Sequence, residues 1–76
     1  MEIRKLVGLN LARLRREQGL SQEELAFACG LHRTYVSGVE RGIRNPTVIV
    51  LRKIADALKV PTHVLLMPTS APRRGS

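Results

Sequence analysis

The run GLSQEELAFACGLHRTYVSGVERG, residues 19–42, decides the fold. Ser21 is an oxygen-bearing residue of the kind that caps a helix start, and Glu24, three positions on, completes a capping box. Leu20 and Leu25 have the spacing of a hydrophobic staple, and Glu23 and Glu24 complement the positive end of the helix dipole. The helix that starts here runs through Leu25, Ala26 and Cys29 and stops at Gly30. After the turn Gly30-Leu31-His32 a second short helix begins, and Gly42 stops it. Leu31 and Val36 repeat the staple spacing.

Two short helices joined by a glycine-containing turn form the pattern in which the second helix enters the DNA major groove. Such a helix needs one face for the core and one for DNA. At about 100° per residue, Tyr35, Val36 and Val39 fall on one side. Arg33, Thr34, Ser37, Gly38 and Arg41 fall on the other. That face is polar, short in its middle and flanked by arginines. Arg33 near the N-terminal end suits a bidentate contact with guanine O6 and N7. Glycine inside a helix costs about 1 kcal/mol relative to alanine. Close approach of the backbone to DNA is the expected compensation at Gly38.

Outward from this core, a first helix is predicted from about Glu2 to Gln18. Ile3, Val7, Leu11 and Leu14 lie on its apolar arc, with Arg13 and Arg16 outside it and Gly19 as the stop. Pro46 holds Asn45 out of the helical region, so residues 42–46 form a loop. Thr47 caps a fourth helix through Leu58, with Val48, Leu51, Ile54, Ala55 and Leu58 as its apolar arc. Pro61 suits the first turn of a short fifth helix through about Leu66. The expected architecture is all-α: five short helices in one domain over residues 1–66, with a disordered tail over 67–76.

The 76 residues carry thirteen Lys and Arg against six Asp and Glu, a formal charge of +7. That excess favours a polyanionic partner. The basic residues are spread over several short helices, which argues against membrane binding. No apolar run approaches the roughly 20 residues that a membrane span needs. Cys29 is the only cysteine, so it makes no internal disulfide. There is no metal-ligand cluster, no phosphate-cradling glycine loop and no paired nucleophile and base. No catalytic residue, metal, cofactor or small-molecule ligand is expected, and a cytoplasmic location is.

The run Gly19-Leu20-Ser21-Gln22-Glu23-Glu24-Leu25-Ala26 resembles the second helix of the Cro/repressor-like, or Xre-type, helix-turn-helix family. Glu40-Arg41-Gly42 with Arg44-Asn45-Pro46, then Leu51, Ile54-Ala55 and Ala57-Leu58, is similar to the segment after that family's recognition helix. Residues 33–41 also resemble the controller proteins of restriction–modification systems. The resemblance spans roughly residues 7–66 and implies a lambda-repressor-like fold. It implies that Arg33, Thr34, Ser37 and Gly38 read bases, and that Gln22 bonds a phosphate and braces the recognition helix. Arg41 and Arg44 would contact phosphates. Asn10 stands where many relatives have arginine and would make a weaker phosphate contact. Arg15 and Glu40 occupy positions that pair as a partly buried salt bridge. His32 replaces the usual Ser, Asp or Thr cap, and Phe27 often has polar counterparts.

Ile49 lies outside the apolar arc of its helix, between Arg52, Lys53 and Asp56. Val64 departs from a usual acidic residue. With Leu65 they are the expected dimer surface. The function expected is a dimeric, sequence-specific regulator of transcription on palindromic double-stranded DNA. The alternative is an antitoxin or accessory subunit of the same fold whose main partner is another protein.

Overall fold

Three helix starts are closed by a side-chain cap. The Ser21 hydroxyl accepts from the Glu24 N–H at 3.0 Å, and the Glu24 carboxylate accepts from the Ser21 N–H at 2.7 Å. Thr47 accepts from the Val50 N–H at 3.1 Å, and Glu2 from the Lys5 N–H at 3.4 Å. His32 makes no side-chain cap. The computed structural model describes residues 2–68. Among them are four α-helices: α1 (Ile3–Glu17), α2 (Gln22–Cys29), α3 (Arg33–Glu40) and α4 (Val48–Leu58).

The expected fifth helix is a 3-10 helix, Thr62–Leu66. Its bonds reach three residues back, from the Val64 N–H to the Pro61 carbonyl and from the Met67 N–H to the Val64 carbonyl, the tighter pattern common in short connecting helices. Gly30 adopts a left-handed conformation (φ 72°), which costs a residue without a side chain little. That bend lets the Leu31 N–H return to the Ala26 carbonyl and sets α3 across α2. Lys59 ends α4 in the same left-handed region, at φ 60°.

α3 packs between α1 and α2, and α4 closes against α2 and the 3-10 helix. The core is Val7, Leu11, Leu14, Leu25, Ala26, Cys29, Val36, Val39, Leu51, Ile54, Ala55, Leu58 and Leu65. Burial pushes the Cys29 thiol up, as for a small apolar core residue. Gln18 at the end of α1 donates to the Leu58 carbonyl at 2.6 Å and ties the two helix ends together.

Several positions differ from the arcs read off the sequence. Ile3 and Val48 are exposed, because each stands in the first turn of its helix, beyond the edge of the core. Leu65, expected at a dimer surface, is 0% exposed. It is a core residue and has no area left to offer a partner. Asn10, expected at a phosphate, is 1% exposed. Its Nδ2 donates to the carbonyls of Leu65 and Met67, both at 2.8 Å. The amide satisfies carbonyls that the short 3-10 helix leaves over and clasps it to α1. Met67, placed in the tail by sequence, is held by this clasp. The rest of the tail expectation, residues 69–76, lies outside the described residues.

Candidate nucleic-acid interface

The outer face of α3 presents Arg33, Thr34 and Arg41 as exposed side chains and Ser37 as half-buried. Val36 and Val39, on the opposite face, are fully buried. The helix is therefore anchored by its apolar side and offers its polar side outward. Arg44, in the loop after α3, is exposed and lies over the Tyr35 ring at 5.8 Å. A guanidinium on an aromatic face is held without an acidic partner, so its charge stays available at the surface. The arginines 33, 41 and 44 thus border one face built from α3 and the loop that follows it.

Close approach to DNA, the role expected of Gly38, is not the only demand for a missing side chain there. Gly38 is buried, and a Cβ there would lie 2.6 Å from the Arg44 Cγ. Its carbonyl accepts from the N–H groups of Ile43 and Arg44, at 2.9 and 3.2 Å. The missing side chain makes room for Arg44, and the loop folds back over this position.

Glu40 sits at the inner end of the same helix. Arg15 Nε donates to Glu40 Oε2 at 2.6 Å and Nη2 to Oε1 at 3.0 Å. The two side chains are 10% and 6% exposed. A third donor from Arg15, Nη1, reaches the Leu20 carbonyl at 2.8 Å. Burial alone would raise the Glu40 carboxyl. The hydrogen bonds from Arg15 and Gln22 outweigh it and hold the carboxyl below its ordinary value. Glu40 is thereby neutralised next to a basic face, where an unpaired carboxylate would repel phosphate.

Gln22, the first residue of α2, bridges inward and outward. Its Nε2 donates to Glu40 Oε1 at 2.9 Å, and its Oε1 accepts from Arg33 Nη1 at 3.2 Å. The resemblance implies that Gln22 braces the recognition helix, and the residues it holds there are Glu40 and Arg33. Elsewhere on α2, Phe27 stands 89% exposed.

Among the described residues no three His, Cys, Asp or Glu side chains gather as a metal site requires. No helix among them is long and apolar enough to cross a membrane.

The sequence profile of the helix-turn-helix family matches residues 11–65. The chain belongs to the helix-turn-helix family. An uncharacterized HTH-type transcriptional regulator of Sinorhizobium fredii, y4dJ, is 55% identical over 69 residues, covering 91% of this chain and 90% of that protein. Control protein C.BamHI of Bacillus amyloliquefaciens is 46% identical over 65 residues, covering 84% of this chain and 80% of its own. The restriction-modification controller protein C.Esp1396I, solved as a tetramer with its natural 35 base-pair operator, superposes with a TM-score of 0.78. It is 37% identical and covers 86% of each chain. The homologues of this helix-turn-helix chain are thus transcriptional regulators and controller proteins.

Proposed function

We propose that this chain regulates transcription by binding double-stranded DNA in a sequence-specific way, with α3 in the major groove. The observation that carries the reading is the outer face of α3, where Arg33, Thr34 and Arg41 are exposed beside Arg44. Arg33, Thr34 and Ser37 read base edges. Arg41 and Arg44 contact phosphates and fix the register, while Gln22 braces Arg33. The chain acts by binding, not by catalysis, in the cytoplasm. The operator complex of C.Esp1396I supports the choice of partner.

Each phosphate neutralised by a cation releases condensed counterions, so binding weakens steeply with salt. Arg44→Ala is expected to lower the log–log salt slope by about one unit. Fluorescence anisotropy on a duplex selected from a random pool measures it. A wild-type slope near zero would remove the DNA-binding reading.

Two copies read twice as much sequence as one, and a twofold axis repeats the same contact. Ile49, 72% exposed on α4, and the half-buried Val64 support self-association through this side of the molecule. Burial would return about 25 cal/mol per Å² of apolar surface. Ile49→Glu is expected to give a folded monomer with weakened operator binding, read by sedimentation equilibrium with circular dichroism as the folding control. A variant that dimerises as the wild type does would make Ile49 an ordinary exposed residue.

A further inference from the structure

Donors and acceptors run in one direction between the buried pair and the outer face of α3. Arg33 Nη1 donates to Gln22 Oε1 at 3.2 Å, and Gln22 Nε2 donates to Glu40 Oε1 at 2.9 Å. That same oxygen also accepts from Arg15 Nη2 at 3.0 Å. Glu40 is the acceptor on which these bonds converge. An ionised carboxylate only accepts, whereas a glutamine amide has one accepting end and one donating end. Facing Glu40, Gln22 must turn its NH2 group inward. Its oxygen then faces outward, the one orientation in which it can receive the guanidinium of Arg33. With the amide reversed, oxygen would meet carboxylate and NH2 would meet guanidinium, and both contacts would repel.

We propose that Glu40 is a positioning residue for base reading: through Gln22 it fixes the direction in which Arg33 is held on the outer face of α3. The inference rests on the DNA-binding reading above. Arg33 is exposed, and a long side chain in water samples many rotamers. A planar guanidinium reads guanine only when its fork is aimed. Holding one of its nitrogens at a fixed oxygen leaves the remaining donors for the base and reduces the ordering required on binding. Glu40 can hold that oxygen in place because Arg15 grips the carboxylate from the other side at 2.6 and 3.0 Å. Arg15 is itself anchored on the Leu20 carbonyl. A buried pair that holds α1 to α3 thus also sets the aim of a surface arginine.

The test uses the full chain and a duplex selected by the wild type from a random pool. Kd is measured on that duplex and on its single base-pair variants. Arg33→Ala identifies the pair that Arg33 reads, where discrimination of about 10-fold is expected to fall toward unity. Two substitutions then address Glu40. Glu40→Gln can present either end of its own amide, so it no longer dictates the orientation of Gln22. Glu40→Asp keeps the charge opposite Arg15 but is one methylene shorter and draws back from Gln22. Both are assayed at a temperature where circular dichroism shows them folded, and Glu40→Asp keeps the test open should Glu40→Gln not fold.

Each is expected to lose several-fold discrimination at the Arg33 base pair alone. Gln22→Met should do the same, and combining it with Glu40→Gln should add nothing. If the Glu40 variants weaken every duplex equally and keep the discrimination, Glu40 serves the fold only and the relay is overturned. If the wild type selects no sequence at all, the regulator reading fails and takes the relay with it.

Discussion

Glu40→Ala is expected to lower the melting temperature by on the order of 15 °C, from a loss of about 3 kcal/mol in a domain of this size. The Arg15 and Glu40 side chains are 10% and 6% exposed. Removing the carboxylate leaves a guanidinium with little water and one remaining carbonyl, that of Leu20. The cost is that stranded charge rather than the worth of the pair itself. Arg15→Leu combined with Glu40→Leu is therefore expected to lose less than the two single changes added together.

The pH dependence has a fixed sign. The carboxyl of Glu40 is held below its ordinary value, so its contribution is complete above the unfolded value of about 4.3. It is lost as pH falls through the lower folded value. Thermal melts followed by circular dichroism should show Glu40→Ala and wild type converging in acid. A melting temperature unchanged at neutral pH would show the pair to be worth no more than an exposed one.

Gly8→Ala is the second large effect. A Cβ at Gly8 would stand 2.5 Å from the Val39 carbonyl oxygen, 2.8 Å from the Glu40 carbonyl carbon, and closer still to the Glu40 oxygen. These are backbone atoms of α3, which cannot rotate aside. Alanine would favour the helix by about 1 kcal/mol. Forcing α1 from α3 costs roughly 3 kcal/mol, the upper part of the overpacking range. The net loss is expected near 2 kcal/mol, or about 10 °C in melting temperature. Gly38→Ala is the control. Its nearest contact is the side chain of Arg44, 2.6 Å away at Cγ, which must swing aside, whereas no backbone atom is among the nearest. Its loss of stability should be smaller than that of Gly8→Ala, with Arg44 displaced from Tyr35. A Gly8→Ala melting temperature at or above that of wild type would show that α1 and α3 do not touch backbone to backbone.

The local features of this protein were legible in the residue order, because they depend on neighbours within one turn. The capping box at Ser21 and Glu24, the stop at Gly30 and the apolar arc of Leu51, Ile54, Ala55 and Leu58 are of this kind. So is the split of α3 into a buried face with Val36 and Val39 and an exposed one with Arg33, Thr34 and Arg41. The pairing of Arg15 with Glu40 followed from family resemblance, since 25 residues separate them.

What only the tertiary structure decided depends on contacts between distant segments. Periodicity states which side of a helix is apolar, but not where along its length the core ends, so Ile3 and Val48 were placed inside and stand in water. Leu65 was placed outside because its partners on α1 and α4 come from elsewhere in the chain. Asn10 reads as a polar surface residue until the 3-10 helix brings two carbonyls against it. The two helical glycines show the same limit. Each carries the same local cost, which signals that something must offset it. Whether that is DNA, an arginine side chain at Gly38, or the backbone of another helix at Gly8 is set by what packs there, and residue order does not encode distance.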